Sequence, residues 1–460
     1  MTLCGRMGRG HTASVARRIG LWHVRTVSGA PRQGGTANGR FPLLAGGAAR
    51  GGRCEASLAP SSSDEESNAD TASVLSCASE SRCGSDGTVG DPEAEEAVLH
   101  DDFEDKLKEA IDGASQKSAK GRLSCLEAIR KAFSTKYLYD FLMDRPSTVC
   151  DLVERGVRKG RGEEAALCAT LGALACVQLG VGAEADALFD ALRQPLCTLL
   201  LDGAQGPSPR ARCATALGLC CFVVDSDNQL VLQPCMEVLW QVVGGKAGPG
   251  SPVLQAAALL AWGLLLSVAP VDRLLALTRT HLPRLQELLE SPDLDLRIAA
   301  GEVIAVMYEG ARDYDEDFEE PSESLCAQLR QLATDSQKFR AKKERRQQRS
   351  TFRDVYRAVR EGASPDVSVK FGREVLELDT WSRKLQYDAF CQLLGSGMNL
   401  HLAVNELLRD IFELGQVLAT EDHIISKITK FERHMVNMAS CRARTKTRNR
   451  LRDKRADVVA

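Results

Sequence analysis

The chain is short of aromatic residues: Phe, Trp and Tyr make up 5% of its 460 positions. β-rich cores lean on aromatic and β-branched side chains, so this scarcity points to helices packed through Leu, Ala, Val and Cys. No run of about 18 apolar residues occurs, so neither a transmembrane helix nor a membrane partner is expected. None of the sixteen cysteines stands in a CxxC pair, and the short paired spacing of structural zinc is absent. Many lie inside apolar helical runs (Cys168, Cys176, Cys213, Cys220, Cys221 and Cys235). That usage fits reduced thiols serving as small core residues in a cytoplasmic or nuclear protein.

Catalytic signatures are missing too. There is no GxxxxGK[ST] loop, and Gly244-Gly245-Lys246-Ala247 lacks both its spacing and its hydroxyl. Gly395-Ser396-Gly397 follows Leu394, so it is not a GxSxG nucleophile elbow. The seven histidines show no HxxxH or HExxH spacing. Without a nucleophile, metal or phosphate constellation, no enzyme, metal site or cofactor is expected.

What the chain does have is charge in blocks. The net charge of −3 conceals them. Residues 1–54 carry nine Arg and no acid, residues 64–112 carry sixteen acids and three bases, and residues 442–455 carry eight bases and one acid. Such polarity speaks of partners. The Arg-rich, acid-free start has the composition of a mitochondrial transit peptide, but its glycines suit a disordered arm better. Residues 1–102 read as disordered, because their Ser/Gly/Asp-rich sequence offers too little apolar surface to offset the entropy of ordering.

From Phe103 onward the sequence repeats. Segments beginning at Cys125, Thr170, Thr215, Ala258 and Ala299 are offset by 45, 45, 43 and 41 residues. Each places apolar or small residues at relative positions 1, 5 and 8, one face of a helix, as in Thr215/Leu219/Phe222 and Ala258/Trp262/Leu265. Ser208-Pro209, Ser251-Pro252 and Ser291-Pro292 punctuate the register as an N-cap followed by a first-turn proline. Intervening helices are expected over 195–201, 235–243, 274–290 and 325–333, and Ala173, Gly218 and Ala261 leave room for close helix approach. A period of this length marks an armadillo/HEAT-like solenoid, so the fold class is all-α: repeats over 103–335, a basic helix and helical extension over 336–415, and a C-terminal region with a basic tail over 416–460. Phe371–Leu414 reads as a further helical unit, with Gly395 and Gly397 marking a helix end and turn.

Two basic segments are the candidate binding residues. Residues 338–360 form one long helix with no Gly or Pro before Gly362. On it Lys342, Arg346, Arg349, Arg353, Arg357 and Arg360 fall within a stripe of about 80°, while Phe352, Val355, Tyr356 and Val359 make an adjoining apolar sector. One side can dock while a row of cations faces outward to track a phosphate backbone, or the acidic residues of 313–323. The second segment spaces cations every other residue: Arg442, Arg444, Lys446, Arg448, Arg450, Arg452, then Lys454 and Arg455. On a helix that charge covers the whole circumference, which suits a tail surrounded by phosphate in an RNA-walled channel; a nuclear address reads equally basic.

Several stretches resemble the interferon-related developmental regulator family: Leu296-Arg297-Ile298-Ala299-Ala300-Gly301-Glu302, Ala333-Thr334-Asp335-Ser336, Arg349-Ser350-Thr351-Phe352-Arg353-Asp354-Val355 and Leu394-Gly395-Ser396-Gly397-Met398. So do Phe431-Glu432-Arg433-His434, Ala443-Arg444-Thr445-Lys446 and Arg452-Asp453-Lys454-Arg455-Ala456-Asp457. The resemblance runs over about residues 103–458, whereas the first 60 or so depart from the family's shorter Lys/Arg/Gly-rich start. It implies an armadillo-type body with a separate C-terminal family domain. It also implies one of two roles: ribosome association with translational silencing, or nuclear co-regulation of transcription in differentiation. The all-round basic tail favours the first, with ribosomal RNA as partner, steric occlusion as mechanism and a monomer as the acting species. The second would have transcriptional regulators as partners of the solenoid.

Overall fold

The computed structural model describes residues 92–245, 251–314, 318, 321–334 and 341–417, with side chains from Phe103 onward. The chain divides into two units, Met1–Val24 with Leu99–Ala460, and Arg25–Val98. Of the second, only helical backbone from Pro92 is described, and every other described element belongs to the first.

Twelve helices come first: α1 (Pro92–Gly113), α2 (Ala119–Thr135), α3 (Tyr139–Met143), α4 (Pro146–Lys159), α5 (Glu163–Leu179), α6 (Ala183–Leu201), α7 (Pro207–Val224), α8 (Gln229–Val243), α9 (Pro252–Leu266), α10 (Val271–Leu288), α11 (Leu294–Tyr314) and α12 (Glu323–Thr334). The five sequence repeats fall on α2, α5, α7, α9 and α11, and these pack each on the next as one inner row. Helices α4, α6, α8 and α10 form a second row over α5, α7, α9 and α11.

The inner helices are apolar because neighbours surround them. In α7 every residue from Pro209 to Val224 is buried except Arg212 and Thr215. A helix buried on nearly all sides needs no amphipathic stripe. Close approach is built from small residues: a Cβ on Gly218 would stand 2.8 Å from Ala261 Cβ. Buried cysteines fill the same row, and burial pushes the Cys168 and Cys213 thiols up to about 12, which suppresses thiolate chemistry.

Helix starts depart from the Ser-Pro expectation at two of three places. Ser251 does stand before α9 with Pro252 first in the helix. But α7 opens at Pro207, because that earlier proline already satisfies the first position. Helix α11 opens at Leu294, because the Asp293 carboxylate accepts from Leu296 N at 2.9 Å and caps in place of Ser291. Similarly α6 and α8 begin well before residues 195 and 235, with Pro195 and Pro234 inside them. Burial of Leu188, Phe189 and Leu192 outweighs the backbone bond that Pro195 cannot make.

The chain then forms α13 (Lys342–Glu361), β1 (Val367–Phe371), β2 (Glu374–Leu378), α14 (Trp381–Leu394), a 3₁₀ turn (Gly395–Gly397), α15 (Met398–Val404) and α16 (Glu406–Ile411). The hairpin corrects the reading of 371–414 as wholly helical. Its register pairs Val367 with Leu378, Val369 with Leu376 and Phe371 with Glu374. Gly372, at φ +55°, makes the turn. Alternation of Val369 and Phe371 with exposed Ser368 and Lys370 gives this segment a period of two, which a helix cannot use. Phe352, Phe390 and Leu408 belong to the same apolar core as the inner row.

Candidate nucleic-acid interface

Helix α13 is anchored on α11 and α12 by one face. Phe352, Val355, Ala358 and Val359 are buried, and the Phe352 ring fills the space over Gly301, where a Cβ would come within 2.8 Å. Buried Arg297 ties the face down by polar bonds: its guanidinium donates to Ser291 O at 2.5 Å and to Gln348 Oε1 at 2.7 Å. At the far end Arg312 donates to the carbonyls of Ala358 and Val359 in the last turn of α13. Gly362, at φ +68°, closes the helix, its N–H reaching Ala358 O at 3.0 Å.

The opposite face carries the row. Lys342, Arg346, Arg353, Arg357 and Arg360 are exposed, and Arg349 is half-buried with its Nε on Arg345 O at 3.2 Å. Successive cations are three or four residues apart, so a charge recurs about every 5 Å along the axis. The helix holds eight basic residues against three acids. Of those acids, Glu361 meets Arg357 at 3.9 Å, with both side chains mostly in solvent. Tyr356 stands at the edge of the row, its hydroxyl accepting from Arg330 at 3.0 Å. A rigid cation row backed by low-dielectric protein concentrates positive potential where a polyanion can reach it. Lys338 and Arg340 lie outside the described residues, as do Arg442, Arg444, Lys446, Arg448, Arg450, Arg452, Lys454 and Arg455.

Beside α13 the structure shows an arrangement that sequence reasoning missed. The segment from α14 to α16 forms a strap across the inner row, touching α11, α9, α5 and α2 in turn. Its start is fixed by Glu309 of α11, whose carboxylate accepts from Trp381 N at 2.6 Å and Ser382 N at 2.9 Å, an N-terminal cap supplied from another helix. Burial raises the Glu309 carboxyl, and those two bonds oppose the shift. Lys384 reaches Glu302 at 2.8 Å; burial works against its ammonium, but Glu302 and Asp388 outweigh it and hold the charge on. Gln386 donates to Ser267 Oγ at 3.0 Å, and Phe390 meets Phe222 edge to face at 6.1 Å. At the far end Gly397 lies so close to Ser134 O that no side chain fits there. Asn405 donates to Val177 O at 3.0 Å while its Oδ1 caps α16 through Leu407 N and Leu408 N.

The strap closes on a buried arginine. Arg409 is 1% exposed and donates to both oxygens of Glu374 at 2.7 and 3.0 Å. It also donates to the carbonyls of Leu402, Ala403, Leu414, Gly415 and Gln416. The signal for it was one cation among the apolar residues Leu407, Leu408 and Ile411. Part of the inner row stays open as a cleft of about 510 Å3 beside α14. The charges there are already paired, Arg130 with Glu127 at 2.5 Å and Arg212 with Glu163 at 3.0 Å. Among the described residues no three His, Cys, Asp or Glu side chains gather to hold a metal, and no helix is long and apolar enough to cross a membrane.

These features define a stacked helical-repeat protein strapped by its own chain and bearing a cationic helix face. A family model described as "Interferon-related developmental regulator (IFRD)" matches residues 71–360, and one described as "Interferon-related protein conserved region" matches 405–456. Interferon-related developmental regulator 2 of Mus musculus is 44% identical over 383 residues, covering 81% of this chain and 87% of its own. Interferon-related developmental regulator 1 of Homo sapiens is 40% identical over 408 residues, covering 86% and 90%. The chain belongs to the interferon-related developmental regulator family. Most of the strap, 381–404, lies between the two matched segments.

Proposed function

We propose that this developmental regulator acts as a ribosome-binding inhibitor of translation, without turnover. The observation that carries the reading is the exposed cation row of α13, held rigid by Arg297, Arg312 and the Phe352–Gly301 contact on its other face. In this reading the repeat body is the platform, α13 lies along ribosomal RNA phosphates, and residues 442–455 enter an RNA-walled channel. Inhibition is then steric: the tail occupies space that mRNA or tRNA needs. The rival reading is nuclear co-regulation through peptides bound along the inner row. It is weakened because the strap covers much of that row and the remaining cleft is lined by paired charges.

Sucrose-gradient sedimentation with ribosomes tests the proposal, comparing the full chain with a version ending at Ser440. The full chain should travel with ribosomes and the shortened one should be depleted from those fractions. Equal co-sedimentation would remove the tail from the mechanism. Nuclear enrichment lost with 442–455, together with RNase-insensitive protein partners, would favour the rival.

A further inference from the structure

A second set of cations gathers at the opposite end of the inner row from α13, where α4 turns into α5. Three glycines make the turn possible. A Cβ on Gly156 would fall 2.1 Å from Cys168 Sγ, and one on Gly160 would fall 2.3 Å from Gly156 O. Gly162 adopts φ +56°. This tight corner pushes Arg155, Arg158, Lys159 and Arg161 outward, all exposed. The α1–α2 loop is bound against them: Arg155 donates to Ser115 Oγ at 2.6 Å, and Arg122 donates to Gln116 O at 3.2 Å and Lys117 O at 3.0 Å. Exposed Lys117 and Lys120 thereby join the same corner, at the start of a helix with no acid in its first turn. Between loop and corner runs a cleft of about 310 Å3 lined in part by Ser115, Arg122, Arg155 and Lys159.

The acids of this region are mostly spent. Glu164 is held by Arg122 at 2.8 Å, Glu154 by Arg158 at 2.8 Å and Glu163 by Arg212 at 3.0 Å. Lys117, Lys120, Lys159 and Arg161 form no ion pair among the described residues, and Arg155 forms none within 4 Å, although its charge helps to lower the Glu164 carboxyl. A helix C-terminus explains cations in the last turn of α4, Arg158 and Lys159, but not the others. Nor does the corner offer a peptide an anchor: none of the exposed large hydrophobic residues lies within 114–122 or 155–164. Protein interfaces draw their affinity from such anchors, whereas nucleic-acid backbones are held by cations alone.

We propose that this corner is a second RNA-backbone contact, so that the repeat array grips structured RNA at both ends. The inference rests on the ribosome-binding reading above and adds a site to it. Two weak phosphate contacts on one rigid spacer reinforce each other, because binding at one makes binding at the second intramolecular.

The test uses the full chain with Arg155→Gln, Lys159→Gln and Arg161→Gln together, leaving the glycines intact. Anisotropy of a fluorescein-labelled A-form RNA duplex is followed from 50 to 200 mM salt, and circular dichroism monitors the fold. The slope of log affinity against log salt should fall by roughly 2 to 3, about 0.9 for each phosphate no longer neutralised. Should helix be lost, Lys159→Gln with Arg161→Gln, both exposed and in no ion pair, should lower the slope by roughly 2. An unchanged slope, alongside a reduced one when α13 is neutralised, overturns the corner and leaves the ribosome reading standing. Failure of the unmodified chain to bind either duplex or ribosomes overturns both. Displacement by polyglutamate as readily as by RNA at equal charge would assign the corner to an acidic polypeptide, including the chain's own 64–112, and overturn the proposal.

Discussion

Replacing Arg409 with Met should release the end of the strap. The five N–H groups of the guanidinium are shared among seven acceptors, the two oxygens of Glu374 and five carbonyls, between 2.7 and 3.3 Å. A Met side chain fills much of the volume and donates nothing. Removing one partner of a buried ion pair typically costs about 3–5 kcal/mol, because the other charge is left without compensation. Glu374 keeps 18% of its side chain exposed, and Gly415 and Gln416 are exposed residues, so water recovers part of the loss. The expected cost is therefore about 3 kcal/mol, at the lower end. Hydrogen exchange reads it locally: amides of 402–417 should lose protection while those of α7 and α9 keep theirs. In the double-mutant cycle with Glu374→Gln, the two losses should be strongly non-additive. A cost under about 1 kcal/mol, or deprotection spread evenly over the inner row, would mean that Arg409 does not hold the end of the strap.

Three further perturbations have defined outcomes. His401 is fully buried, accepts from Asn405 Nδ2 at 3.3 Å, and has its pKa pushed down by burial to about 4, with the Ser134 and Phe133 carbonyls opposing. Its neutral form is the folded form, so stability should hold above pH 6.5 and fall by about 2 kcal/mol between pH 7 and pH 5; urea titrations of His401→Gln should show that slope flattened. Gly301→Val should drive a side chain into the Phe352 ring and lower the melting temperature by several degrees, with α13 losing hydrogen-exchange protection first. Neutralising Arg346, Arg353 and Arg357 to Gln should lower the salt slope of RNA binding by roughly 2 to 3, with the thermal melt unchanged, since all three are exposed.

The inner row was legible because burial on all sides leaves a periodic record of small and apolar residues, and α13 because a helix's two faces follow directly from 100° per residue. The hairpin was hidden by its brevity: five residues per strand carry little pattern, and Val367 and Val375 are exposed. Helix starts shifted where a cap came from an unexpected side chain, Asp293 instead of Ser291. The strap was illegible for a different reason. Its docking is set by single contacts between residues far apart in sequence, such as Glu309 with Trp381, Gly397 with Ser134 and Asn405 with Val177. No local pattern records such pairings. The outward row on α13 was visible in the sequence; the corner at Arg155–Arg161 emerged only when glycine packing brought the α1–α2 loop beside it.

The proposed function requires this chain to meet RNA of the ribosome through its cationic surfaces. Ultraviolet crosslinking of the full chain in cells, followed by sequencing of the attached RNA, tests it most directly. Ribosomal RNA should dominate the recovered sequences, and neutralising Arg346, Arg353 and Arg357 should deplete it. Recovery of no ribosomal RNA above background, with protein partners that survive RNase, would mean that the chain does not act on the ribosome.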